Sequence, residues 1–169
     1  IRLTRPDPQY LNNRVDHFLQ NFTDSDSKSI IDPQMDDEIK LFVQGAFVLV
    51  QQLLVHDISN VNVEWLNSVS LGQGLAVEAL NFLGKACVLP FLELLHYDKV
   101  LKGFVPFPLL APEMMALLGV LVGLLIKYDF PADWYFAPEY ARFLFYSESY
   151  DESVADQATQ IYSSIFKNL

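Results

Sequence analysis

The sequence predicts an all-α fold, a compact multi-helix domain, and three observations support this fold class. Apolar residues in several segments recur at the three- and four-residue spacing of one helix face. Four of these segments begin with a proline, a residue that is favoured in the first turn of a helix. No segment shows the sustained alternation of apolar and polar residues that is typical of a half-buried strand.

The first two helices are predicted from their N-terminal signals. Asp7-Pro8 places a capping side chain before a first-turn proline, and Asp32-Pro33 repeats this arrangement. Residues 23–29 form a polar loop between the two helices. The second helix continues to about His56, and we expect it to lie centrally because apolar residues surround much of it.

Further helices are predicted from the middle of the chain onward. One begins at about Leu75, and Pro90 inside its apolar run should kink it or split it in two. Lys102–Pro112 contains three prolines and one glycine, and this composition predicts an ordered loop. Pro112 and Pro138 then open two more helices.

A last helix is predicted near the C-terminal end of the sequence. Ser149 and Glu152 have the spacing of a capping box. The apolar positions that follow fall on a single helix face: Val154, Ala155, Ala158, Ile161, Tyr162, Ile165, Phe166 and Leu169.

The longest apolar run, Met114 to Ile126, decides between a membrane span and a core helix. It contains thirteen residues, whereas a spanning helix needs about twenty. We therefore expect no transmembrane span and predict a buried helix. Gly119 and Gly123 within it should let a neighbouring helix approach closely.

A repeat with a period of forty residues suggests a more specific architecture. Val48-Leu49 followed by Leu54–Asp57 resembles Val88-Leu89 followed by Leu94–Asp98. Helix pairs at this spacing are typical of HEAT- and armadillo-like arrays, so the all-α domain could consist of such repeats. The matches are short, however, and helices commonly end in a polar, charged tripeptide, so chance explains them equally well.

The length of 169 residues fits one domain. We expect residues 1–31 to form an N-terminal helix and polar loop, and residues 32–169 to form the helical core.

The charge of the chain restricts its partners. Acidic residues outnumber basic residues 21 to 11, which gives a formal net charge of −10. Such a surface repels phosphate backbones and anionic lipids, so nucleic-acid binding is not expected. A partner protein with a basic surface would be attracted. Alternatively, the charge serves only to keep an apolar-rich chain in solution.

The compartment stays open between two alternatives. A single cysteine, Cys87, is compatible with a reducing, intracellular compartment. The first residue, Ile1, indicates a processed chain or a fragment, and the sequon that begins at Asn21 would matter only in a secreted or lumenal protein.

Candidate catalytic groups are scattered. Each of the three histidines has an aspartate within two residues, but none is followed by another histidine or a glutamate three or four positions later. We therefore expect no metal site around them, and we interpret His56 and His96 as residues at helix C-termini. We predict no cofactor, no metal site and no enzymatic activity.

The strongest functional signal is an excess of aromatic residues between Tyr128 and Tyr150, next to the loop Lys102–Pro112. Trp134 lies in a proline-bounded turn, so we expect its side chain to be exposed at the centre of an interface. The predicted binding residues are Phe104, Phe107, Trp134, Tyr135, Phe136 and Tyr140.

These observations favour a non-enzymatic module that binds another protein or anchors an assembly. An alternative is a helical carrier of an apolar or pigment-like small ligand, because apolar helices and aromatic residues also suit such a ligand. An enzyme without a recognisable motif is the third possibility.

Overall fold

The computed structural model describes residues 1–22, 30–67, 69, 74–138 and 140–141. This part of the chain combines four α-helices with two small sheets, so the all-α prediction is wrong. The helices are α1 (Pro8–Asn21), α2 (Pro33–Gln52), α3 (Leu75–Ala86) and α4 (Pro112–Lys127). The strands are β1 (Arg2–Leu3), β2 (Glu64–Trp65), β3 (Leu95–Asp98) and β4 (Gly103–Pro106). The predicted helix from Ser149 lies outside the described residues.

Helices α1 and α2 begin where their capping signals predict. The Asp7 carboxylate accepts a hydrogen bond from the Tyr10 amide at 2.8 Å, and the Asp32 carboxylate accepts one from the Gln34 amide at 3.0 Å. These bonds satisfy amides that have no partner within the helix. Helix α2 ends at Gln52, four residues before the predicted end.

The proline in the third apolar run ends the helix. Helix α3 stops at Ala86, and Pro90 begins a short 3-10 turn, Pro90–Leu92. Glu93 then adopts a left-handed conformation with φ 54°, and the chain continues into β3. A continued helix is prevented because proline supplies no amide hydrogen and clashes with the preceding turn.

The two sheets account for the error in fold class. Strand β1 runs parallel to β2, and β3 runs antiparallel to β4. Each strand has only two to four residues, too few for an alternation of apolar and polar residues to be recognised. Strand β4 lies within Lys102–Pro112, the segment predicted as a loop because of its prolines.

The forty-residue repeat has no structural counterpart. Leu54–Asp57 lies in the turns that follow α2, whereas Leu95–Asp98 is strand β3. The two similar sequence segments therefore adopt different backbone conformations. The prediction of a HEAT- or armadillo-like array is wrong together with the predicted fold class.

A buried ion pair joins α1 to α2. Arg14 interrupts the apolar stripe of α1, yet it is only 2% exposed. Its guanidinium lies 3.1 Å from the Asp36 carboxylate, which also accepts a hydrogen bond from the Tyr10 hydroxyl at 2.7 Å. Burial and this hydrogen bond raise the pKa of Tyr10 above its ordinary value. The pairing explains how the helix tolerates a charge on its buried face.

The close helix contact predicted at Gly119 and Gly123 is wrong. Both glycines are exposed, and a Cβ at either would meet no heavy atom of another described element within 4 Å. Helices α3 and α4 approach instead at Gly84, where a Cβ would lie 3.2 Å from the side chain of Leu125. None of the helices in the described part of the chain is long and apolar enough to cross a membrane.

Candidate functional site

The predicted aromatic site is largely part of the interior. Trp134 is 1% exposed, and its indole Nε1–H donates a hydrogen bond to the Gly84 carbonyl at 2.7 Å. Its ring packs edge-on against Phe104 and Phe136, at centroid distances of 5.9 and 5.2 Å. The expectation that Trp134 is exposed at an interface is therefore wrong, and Phe104 and Phe136 are buried with it.

The reason lies in the backbone of residues 134–136. This segment lies beside β4: the Phe104 amide donates to the Tyr135 carbonyl at 3.1 Å, and the Ala137 amide donates to the Phe104 carbonyl at 2.9 Å. Successive side chains of an extended segment point to opposite sides. Trp134 and Phe136 consequently both face the interior, while Tyr135 is half-buried.

Tyr140 is also half-buried, with its ring 5.3 Å from that of Phe136. Burial raises the pKa of Tyr140. Of the six predicted binding residues, Phe107 alone lines a groove on the described surface of the protein.

That groove has a volume of about 540 Å³ and is open to solvent along one side. It lies between α2, the segment 92–94 before β3, the segment 107–111 after β4, and the first turn of α4. Its lining residues are Lys40, Val43, Gln44, Phe47, Leu92, Glu93, Leu94, Phe107, Leu109, Leu110, Ala111 and Met114.

Helix α2 supplies one wall of the groove. Lys40, Val43, Gln44 and Phe47 follow one another at the spacing of one helix face. Val43 and Phe47 are almost fully buried, whereas Lys40 and Gln44 are exposed. The wall therefore has an apolar base and a polar rim.

The opposite wall contains a tight turn. The Phe107 amide donates to the Leu94 carbonyl at 2.9 Å, and the Leu110 amide donates to the Phe107 carbonyl at 3.0 Å. Pro108 occupies the second position of this turn, where its fixed φ is favoured. The turn holds Leu109 at the edge of the groove with 88% of its surface exposed.

One cation and one anion of the groove have no ion-pair partner within the described part of the chain. Neither the Lys40 ammonium nor the Glu93 carboxylate forms an ion pair with another residue that the structure describes. By contrast, Arg5 pairs with Glu78 at 2.7 Å elsewhere on the surface. Both groove charges are consequently available to a bound molecule.

The described residues contain no group of three histidine, cysteine or carboxylate side chains that could hold a metal ion. His56 lies beyond the end of α2, and His96 lies on β3 rather than at a helix C-terminus, so that interpretation of His96 is wrong. Cys87 is fully buried, and burial raises the pKa of its thiol well above the ordinary value. A thiol in this state is a poor nucleophile.

One wall of the groove lies in a segment that the sequence predicts to bind a partner, and the other wall does not. The predicted loop Lys102–Pro112 does contribute lining residues, namely Phe107, Leu109, Leu110 and Ala111. The contribution of α2 was missed because its apolar residues indicated a central helix. The sequence did contain one indication that this helix binds a partner. Helix α2 has no charged residue after Lys40, so from there onward even its solvent-facing side is uncharged.

Comparison with protein-family models, curated proteins and solved structures finds no match to the chain.

Proposed function

We propose that the chain is a protein-binding module and that the groove accepts an apolar segment of another polypeptide. The observation that carries the proposal is the lining of the groove, in which nine of the twelve residues are apolar. A groove with an apolar base and a few polar groups at its rim is a common way to bind an amphipathic helix or an extended segment.

The surface around the groove extends this apolar area. Leu41 and Val48 lie three and four residues from Gln44 on α2, so all three share one helix face. Met115 follows Met114 on α4. These three apolar side chains are 57%, 45% and 43% exposed, respectively. Neighbouring exposed apolar residues of this kind favour a macromolecular partner, which would cover more surface than the groove alone.

An apolar small ligand is the second candidate. A volume of about 540 Å³ is within the range of roughly 300–1,000 Å³ that is typical of small-molecule sites. Such sites enclose most of the ligand, however, and this groove is open on one side. The open side supports a polypeptide over a carrier function.

Site-specific photo-crosslinking in cells that produce the protein tests the proposal. Leu109 and Val100 are both 88% exposed, but only Leu109 lines the groove. We expect a crosslinker at Leu109 to capture one defined polypeptide and the same group at Val100 to capture none. The Met114→Lys substitution should abolish the crosslink, because it places a charge among apolar side chains, while the circular dichroism spectrum stays unchanged.

Two results would count against the proposal. Equal crosslinking from Leu109 and Val100 would show that capture reflects exposure alone. A small apolar molecule that co-purifies with the protein, and is lost with Met114→Lys in native mass spectrometry, would favour the carrier function instead.

A further inference from the structure

We propose that the polypeptide in the groove is a second copy of this chain, bound in a two-fold symmetric dimer. The inference rests on the proposed function, because it assumes that the groove binds protein. It goes further by naming the partner, and the charges, shape and surroundings of the groove each support this choice.

The charges of the groove are complementary to themselves. In a two-fold symmetric contact, every pair of residues occurs twice. If one residue of the first protomer contacts a second residue of its partner, then that second residue of the first protomer contacts the first residue of the partner. Lys40 and Glu93 both line the groove, carry opposite charges and lack ion-pair partners among the described residues. Two copies facing each other across the groove can therefore form two Lys40–Glu93 pairs, with no charge left over.

The shape of the groove provides a matching projection. Leu109 stands at the groove's edge on the turn formed by Phe107 to Leu110. Its side chain is almost fully exposed in one copy. In the dimer, the Leu109 side chain of each copy would enter the groove of the other copy and lie among its apolar residues. The two-fold symmetry makes this contact occur twice. The hydrogen-bonded turn holds Leu109 in place, so little conformational entropy is lost on binding.

The surroundings of the groove reduce the repulsion between two acidic chains. Each copy carries a formal charge of −10, so most faces of two copies repel each other. Helix α2 has no charged residue after Lys40, and α4 has none between Glu113 and Lys127. These two helices pack together and flank the groove. Like-charged copies can thus approach each other here.

Sedimentation of the purified full chain over a series of concentrations tests the inference. We expect a reversible monomer–dimer equilibrium. Leu109→Glu should raise the dimer dissociation constant roughly a hundredfold, since it places a carboxylate in an apolar groove. Val100→Glu is the matched control: it adds the same charge at an equally exposed position outside the groove and should leave the constant unchanged.

A charge exchange tests the predicted pairs directly. Lys40→Glu and Glu93→Lys should each weaken the dimer roughly tenfold, because each places like charges opposite one another. The double variant should restore the dissociation constant of the unmodified chain. If the single variants weakened the dimer because they damaged the fold, or if the two residues did not face each other in the dimer, the double variant would not restore the dissociation constant.

Three outcomes would overturn the inference: a monomer at every concentration, a dimer insensitive to Leu109→Glu, or a double variant no tighter than the single variants. If the chain is monomeric and Leu109 still crosslinks to another polypeptide, the dimer is excluded and the proposed function stands. If Leu109 also captures nothing, both fail.

Discussion

Two apolar regions of this protein are built from similar residues and differ in what covers them. In the Trp134 cluster (Trp134, Phe104 and Phe136), the aromatic rings are buried against each other. In the groove, Phe107 and Leu109 stand beside α2 with one side open to solvent. Side-chain chemistry does not separate the two regions. The difference is that backbone pairing along β4 brings a second segment over the first region, and no described segment covers the second.

The largest expected effect comes from removing the centre of the Trp134 cluster. Trp134→Ala should lower the free energy of unfolding by about 3–5 kcal/mol, because it leaves a cavity. It also removes the hydrogen bond to the Gly84 carbonyl. Denaturant unfolding measures the loss. Leu109→Ala is the matching change in the groove and, at concentrations where the chain is monomeric, should alter the free energy by less than about 0.5 kcal/mol. Similar values for the two variants would remove the distinction between the regions.

A second contrast concerns charges. The interior contains the ion pair of Arg14 and Asp36, whereas Lys40 in the groove has no ion-pair partner among the residues that the structure describes. Asp36→Ala removes the hydrogen-bonded carboxylate that α2 supplies to the buried Arg14 guanidinium, so we expect a loss of about 2 kcal/mol of stability. Lys40→Ala should change stability by less than about 0.5 kcal/mol. Thermal unfolding of both variants at neutral pH measures the difference. A small effect of Asp36→Ala would mean that the Arg14 charge is compensated without the Asp36 carboxylate.

The smallest expected effects on stability come from two glycine-to-alanine substitutions, one where two backbone segments are in close contact and one on an open helix surface. A Cβ on Gly103 would overlap the backbone of Ala137, which runs beside β4. Gly103→Ala should therefore cost about 1–3 kcal/mol. A Cβ on Gly119 of α4 meets nothing within 4 Å, so Gly119→Ala should stabilise the helix by roughly 0.5–1 kcal/mol. Opposite shifts in melting temperature are expected, and shifts of the same sign would contradict the arrangement of β4 and α4.

The candidate site was only partly predictable from the sequence, because the burial of an aromatic residue depends on segments far away in the chain. Phe107 belongs to a proline-rich segment whose rigidity and exposed apolar residues are visible in the sequence. Trp134 stands in an equally proline-bounded segment, but its indole reaches a carbonyl fifty residues earlier in the chain. Local composition cannot distinguish a tryptophan with such a partner from one without it.

The sequence by itself determined the starts of the helices. Helices α1, α2 and α4 begin at Pro8, Pro33 and Pro112. Asp7 and Asp32, which precede the first two of these prolines, accept hydrogen bonds from amides only two or three residues away. Because the capping residue and the amides that it binds are so close in the chain, the interaction can be recognised from a short sequence pattern.

Only the tertiary structure decided the strands and the groove. Strand β1 depends on a partner more than sixty residues away, and the groove requires α2, the turn after β4 and the start of α4 to meet. Which apolar residues are covered is set by these long-range contacts, since apolar burial is non-directional and any segment of suitable shape can provide it.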